Sequence, residues 1–189
     1  MTDSRRAAPR LRPAREADAP FLERMLLEAF NWDRPRFTLA GLLALPRAAH
    51  YVGGWPRAGD FGVVAEDARG RELGAAWALR FPAGGPGYGH VAPHIPELTL
   101  AVDAGARGGG VGGALLDALI PAAEERGCAG LSLSVEDGNR ARGLYEGRGF
   151  VPVGRTGEAN MMLLRTRTRL RSASPAAGPP PRTGPPGPC

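Results

Sequence analysis

Apolar positions change their period several times along the chain, and each change marks an element. Leu11-Arg12-Pro13-Ala14 reads as a short edge strand, where a proline costs no ladder bond. After Asp18, taken as an N-cap, Phe21, Leu22, Met25, Leu26 and Ala29 recur at helical spacing on one face. Leu39, Leu42 and Leu43 keep that period and predict a second helical segment over Arg36 to Ala49, with Pro46 toward its end. Phe61–Ala65 and Leu73–Phe81 are apolar runs joined by the turn Glu66-Asp67-Ala68-Arg69-Gly70, which predicts a hairpin. Residues 82–96 are a Gly- and Pro-rich loop, and loops of that length in compact domains are commonly functional. Glu97–Val102 is the next strand. Val111, Leu115, Leu116, Leu119, Ile120 and Ala123 then share a helix face that Gly127 ends, and Pro121 is expected to bend that helix. Leu131–Val135 alternates as a strand. Asn139 opens a short helix through Tyr145 to Arg148, closed by Gly149. Phe150–Val153 and Asn160–Leu164 are the last strands.

These elements place one domain at residues 10–165. It lies between a polar N-terminus, 1–9, and an Arg-, Ser-, Pro- and Gly-rich tail, 166–189, both expected to be disordered. A hydrophobic content of 43% over 189 residues suffices for the core of one such domain. The formal net charge of +5 would point to nucleic acid if it lay on a folded face. Beyond Glu158, however, there is no acidic residue, and Arg165, Arg167, Arg169, Arg171 and Arg182 carry the whole excess. No specific nucleic-acid partner is therefore expected. All 24 cationic residues are arginine, which excludes Schiff-base lysines and a Walker-type phosphate loop. Cys128 and Cys189 form neither a disulfide framework nor a metal-ligand spacing with histidine, so no metal is expected. Met1–Arg15 lacks the apolar core of a signal peptide, and no stretch approaches the roughly 18 apolar residues of a membrane span. The expectation is a reduced, cytoplasmic setting away from membranes.

Candidate chemistry concentrates in Arg107-Gly108-Gly109-Gly110-Val111-Gly112-Gly113, between a strand and a helix. Main-chain N–H groups in such a loop can converge on one point, and the helix N-terminus adds partial positive charge. Phosphate or pyrophosphate is the natural guest. Gly108-x-Gly110-x-x-Gly113 satisfies the dinucleotide fingerprint, and Glu136-Asp137 ends the next strand where a ribose-binding carboxylate would lie. Against that reading, Asp103 to Arg107 separate the strand from the first glycine, and the repeated strand–helix units of a doubly wound sheet are missing.

A second pattern covers more of the chain. Arg107-x-x-Gly110-x-Gly112 follows a strand ending in Val-Asp. Ser134-Val135-Glu136-Asp137-Gly138-Asn139 comes later, then Ala141-x-x-Leu144-Tyr145-x-x-x-Gly149-Phe150-x-x-x-Gly154. This combination resembles the GNAT acetyltransferase superfamily. The resemblance runs from Leu11 to Leu164, and its specific part from Glu97 to Gly154. It implies an α/β fold of the α+β kind, a central mixed sheet flanked by helices, with parallel strands 97–102 and 131–135 splayed apart. It implies acetyl-CoA as co-substrate, no metal, and direct attack by a bound amine in a ternary complex. Main-chain groups of Leu100, Ala101 and Val102 would take up the pantetheine arm, and an N–H near that strand's end would polarise the thioester carbonyl. Arg107, Gly108, Gly109, Gly110, Val111 and Gly112 would hold the pyrophosphate.

Tyr145 matches the family tyrosine that faces the CoA sulfur and would protonate the leaving thiolate; the alternative is a packed helix tyrosine. Asn139 serves as a helix cap, alone or with a contact to the cofactor arm. Glu97 is the candidate general base, acting directly or through water, and His90 and His94 in the preceding loop are the alternatives. Trp32, Trp55 and Trp77 are read as core or acceptor-pocket walls. A non-catalytic acyl-CoA-binding module on the same fold is the second functional reading, and a dinucleotide-binding protein the third. The acceptor amine carries no readable motif, and a homodimer is compatible with the fold.

Overall fold

The computed structural model describes residues 8–82 and 84–167. The chain runs β1 (Arg10–Pro13), α1 (Ala19–Phe30), α2 (Leu39–Leu43), α3 (Pro46–Ala49), β2 (Phe61–Glu66), β3 (Glu72–Leu79) and β4 (Glu97–Val102). It continues through α4 (Val111–Glu125), β5 (Gly130–Glu136), α5 (Ala141–Glu146), β6 (Val151–Thr156) and β7 (Ala159–Arg165). All seven strands form one sheet in the spatial order β1-β2-β3-β4-β5-β7-β6. Every neighbouring pair is antiparallel except β4 with β5. That mixed sheet is the expected architecture, and it is not the doubly wound sheet of a dinucleotide fold. The disorder expected of residues 1–7 and 168–189 lies outside the described residues.

Strand alternation sorts the core into two layers. On one face Val64, Ala75, Trp77, Leu79 and Ala101 pack against Phe21, Leu22, Met25 and Leu26 of α1 and Leu42 of α2. On the other, Phe61, Val63, Ala65, Ala76, Ala78 and Leu98 pack against Val111, Leu115, Leu116 and Leu119 of α4. Leu131, Leu133, Val135 and Tyr145 join that second layer. The two-residue repeat therefore turns Glu97 and Thr99 toward α1, and Leu98, Leu100 and Val102 toward α4.

Local chemistry moved several boundaries. The segment expected as one helix over 36–49 is two. Leu45 precedes Pro46 and is forced to an extended ψ of 112°, so the first helix stops and Pro46 starts the second. Thr38 caps α2, its Oγ1 accepting from Gly41 N–H at 3.1 Å. Asp18 precedes α1 but gives it no side-chain cap. Its carboxylate instead accepts from Arg12 at 2.7 and 2.9 Å and from Arg15 N–H at 2.6 Å, tying β1 to the start of α1. Pro121 stands inside α4, which nonetheless continues to Glu125.

Candidate active site

The parallel pair is where the sheet opens. β4 and β5 are in register only at Glu97 and Ser132, with Ser132 N–H donating to Pro96 O at 2.9 Å. Beyond that fork the strands part. β5 turns to β7, with which it stays in register from Gly130 to Glu136. Main-chain groups on the β4 edge alternate in direction, so those of Leu98, Leu100 and Val102 face the opening. Leu100 and Val102 have no strand partner on that side; Val102 O is taken by the Arg107 guanidinium, and the remaining groups require a partner from elsewhere. Ala101 differs, because its main chain is turned to β3, in register with Ala75.

The glycine loop lies at the end of the same strand. Asp103 Oδ1 accepts from Gly105 N–H at 2.9 Å and turns the chain out of β4. Gly110 is the N-cap of α4 with φ of 80°, a left-handed conformation that disfavours a side chain. No side chain caps this helix, and its ladder begins with Ala114 N–H to Gly110 O at 3.0 Å. The N–H groups of Val111, Gly112 and Gly113 therefore end a 15-residue helix without intrahelical partners. Gly108, Gly109 and Gly110 are exposed beside them. The Arg107 guanidinium is engaged within the protein, held by Glu28 at 2.7 Å and by Val102 O at 3.1 Å. Gly112 lies against Leu100, Val102 and Leu144, closing helix onto strand.

Tyr145 is buried on the α4 side of the opening, edge-on to Phe150 with centroids 5.8 Å apart. Its hydroxyl makes no hydrogen bond among the described residues, and burial pushes its pKa up. Asn139 lies two residues before α5 rather than at its first turn. Its Oδ1 accepts from Ala141 N–H at 2.9 Å, so the expected capping role is met by an Asx turn.

Glu97 sits at the fork on the α1 side and is only 2% exposed. Tyr51 Oη donates to its Oε1, and Gly89 N–H donates to the same oxygen at 2.7 Å. Oε2 is buried with no hydrogen-bond partner among the described residues. Burial pushes the carboxyl up to about 7; the two donors and the charge of Arg47 act in the opposite direction. The loop before β4 builds this enclosure. Arg47 lies over the Tyr88 ring, 4.3 Å from its centroid, and donates to Gly87 O at 2.8 Å. Gly89 fits directly against the β5 main chain, where a Cβ would lie 2.2 Å from the Leu133 carbonyl carbon.

His90 is half-buried and His94 exposed, and neither is hydrogen-bonded to Glu97. Trp55 and Trp77 are core residues. Trp32 donates to Glu136 at 2.7 Å, carrying the segment after α1 across to the end of β5. Sequence reasoning missed Tyr51, Arg47, Gly87 and Gly89. The only available signal was the Gly87-Tyr88-Gly89 triplet inside the long loop. Among the described residues, no group of three or more His, Cys, Asp and Glu side chains is placed to hold a metal ion, and no helix is long and apolar enough to cross a membrane.

Comparison with known proteins agrees with this geometry. The model of the acetyltransferase (GNAT) family matches residues 21–150. The mycothiol acetyltransferase of Beutenbergia cavernae is 39% identical over 92 residues, 48% of this chain and 28% of that protein. The match thus spans little more than a quarter of that curated relative. A ribosomal-protein-alanine N-acetyltransferase from Brucella melitensis superposes with a TM-score of 0.61 at 28% identity, over 82% of this chain and 99% of that one. A putative acetyltransferase from Salmonella typhimurium, solved with its cofactor acetyl-CoA, shares the fold with a TM-score of 0.60 at 21% identity, over 90% of this chain and 100% of that one.

Proposed function

Because the chain belongs to the GNAT acetyltransferase family, an acyltransferase class of enzyme, we propose that it moves an acetyl group from acetyl-CoA to a primary amine by direct attack while both are bound. One observation carries this reading: a bare helix N-terminus and strand edges without a strand partner line one opening in the sheet, and a buried carboxyl, pushed up to about 7, sits at its root. The N–H groups of Val111 and Gly112, with the Arg107–Gly110 main chain, would hold the pyrophosphate. The N–H and C=O of Leu100 and the N–H of Val102, left without a strand, would hydrogen-bond the pantetheine arm, Val102 O being held by Arg107.

Glu97 lies on the opposite face of β4 from α4, at the root of the opening, and takes the role of base. A carboxyl near pH 7 is matched to removing a proton from an alkylammonium at working pH. Tyr145 approaches from the α4 side and serves as the acid that protonates the departing thiolate; its raised pKa keeps it a proton carrier. Oε2 of Glu97 is closed off beneath Gly87, so the acceptor's proton would reach it past Gly87, with Tyr88 and Gly89 kept on Tyr51 and Oε1. The Brucella relative supports including peptides with N-terminal alanine among the acceptors. Cys128, a buried free thiol, suits a reducing cytoplasm.

The test is thiol release from acetyl-CoA against a panel of amines: peptides with N-terminal alanine, amino acids, small aromatic amines and polyamines. Turnover with at least one, lost in Glu97→Gln, supports the proposal. Closure of the turn over Oε2 favours the second reading, a module that binds acetyl-CoA without turnover. Binding with no turnover on any amine would establish it instead.

A further inference from the structure

The role of Glu97 as base rests on the function proposed above, and the surroundings of its two oxygens say which one works. Both donors converge on Oε1: the Tyr51 hydroxyl and the Gly89 N–H. Tyr51 is itself oriented, because Tyr88 N–H donates to its Oη at 2.6 Å, which leaves the hydroxyl proton to point at Glu97. Its backbone is fixed by Trp77, whose Nε1 donates to Tyr51 O at 2.8 Å. Its ring stacks on Tyr88 and packs on Phe81, with centroids 6.1 and 5.0 Å apart. A proton placed on Oε1 would meet two donors head-on. A proton placed on Oε2 meets none.

We infer that Tyr51 is a positioning residue that, together with the Gly89 N–H, occupies Oε1 and so makes Oε2 the atom that takes the acceptor's proton. Gly87 completes the unit. A Cβ there would lie 2.2 Å from Oε2 and 2.6 Å from Tyr51 Oη. Its φ is not positive, so what position 87 requires is room for Oε2 itself rather than backbone freedom. Residue 51 lies 46 positions before residue 97, and only the fold brings it to Gly87 and Glu97. Tyr51 and Arg47 are the titratable and charged side chains that bear on the carboxyl, and Tyr88 acts through its main chain alone.

The experiment is the pH profile of kcat/KM for the full chain, with Tyr51→Phe, Gly87→Ala and Glu97→Gln compared on the best acceptor found. Tyr51→Phe keeps the ring and removes the donor that favours the ionised carboxyl. Its acidic limb should move up by about one pH unit, with KM for acetyl-CoA unchanged. Gly87→Ala should lower kcat by about tenfold or more, since its Cβ would overlap Oε2 and push the carboxyl out of place. Glu97→Gln should abolish the limb. If Glu97→Gln abolishes the limb while Tyr51→Phe leaves it in place, Tyr51 is merely structural and the inference fails, although the base assignment survives. If Glu97→Gln keeps both limb and rate, the base assignment fails and the inference with it. Should Tyr51→Phe not fold, carbon-13 NMR of the Tyr51 ring carbon that bears the hydroxyl decides: a shift that moves with pH in the wild type and stays fixed in Glu97→Gln upholds the inference, and one that behaves alike in both proteins overturns it.

Discussion

Glu97→Gln should change the pH dependence of stability as well as that of turnover, and the size of the effect follows from the burial of the carboxyl. The carboxyl is pushed from 4.5 to about 7 in the folded protein. At about 1.4 kcal/mol per unit, that difference is worth about 3 kcal/mol. Below pH 4.5 the group is protonated in both folded and unfolded chains, and its burial is uncharged. Between 4.5 and about 7 the unfolded chain gives up the proton while the folded chain keeps it, so stability falls as pH rises. Above about 7 the loss is complete, because the folded protein then carries a buried carboxylate.

Glutamine has the same shape and does not titrate. Its amide oxygen can accept from Tyr51 and Gly89 as Oε1 does. The variant therefore lacks the slope, and its stability relative to wild type should grow by about 3 kcal/mol between pH 4.5 and 8. In a chain of this size that corresponds to a relative rise in Tm of about 6–12 °C. Urea unfolding of both proteins, followed by circular dichroism at pH 4.5, 6 and 8, measures the difference directly. A gap that stays constant across that range would refute the reasoning, because it would mean the Glu97 carboxyl titrates alike in folded and unfolded chains.

Three further expectations concern the opening itself. Tyr145→Phe should lower kcat about 100-fold with little change in Tm, because its hydroxyl has no hydrogen bond among the described residues to lose; steady-state kinetics and thermal melts check both halves. Arg107→Ala should weaken acetyl-CoA binding by less than about threefold, since the guanidinium is held by Glu28 and the loop acts through its main chain; titration calorimetry reads this. Gly74→Ala should destabilise the protein by about 1–3 kcal/mol, because the new Cβ would lie 2.7 Å from Ala101 O and force β3 from β4; chemical denaturation measures it.

Much of the sheet was legible because its strands carry their own signals. The hairpin β2–β3, the strand Glu97–Val102 and the helix from Val111 all lie where apolar period and turn residues place them. The divergence of β4 and β5 was implied by family resemblance rather than by any residue pattern, and the single registered pair at Glu97 and Ser132 agrees with it. Positions failed where a neighbour outweighed the local pattern. Leu45 continues a helical period, yet the proline after it breaks the helix. Asp18 has the chemistry of a cap but is bound by Arg12. The enclosure of Glu97 was illegible for a different reason. Tyr51 is 46 positions away from it and lies in no periodic element, and Gly87 and Gly89 act by lacking a side chain. Contacts of that kind exist only once the loop before β4 is folded against α3 and β5.

On the proposed function, the loop ahead of α4 holds the pyrophosphate of acetyl-CoA through its main chain. Isothermal titration with acetyl-CoA tests it most directly, with NAD in a parallel cell and Gly109→Glu and Gly109→Gln as paired variants. Gly109 is exposed and has no positive φ, so a side chain there tests charge without backbone strain. Micromolar binding of acetyl-CoA, about −8 kcal/mol, is expected, retained largely by glutamine and lost with glutamate. Equal binding by wild type and Gly109→Glu, or heat from NAD alone, would contradict it.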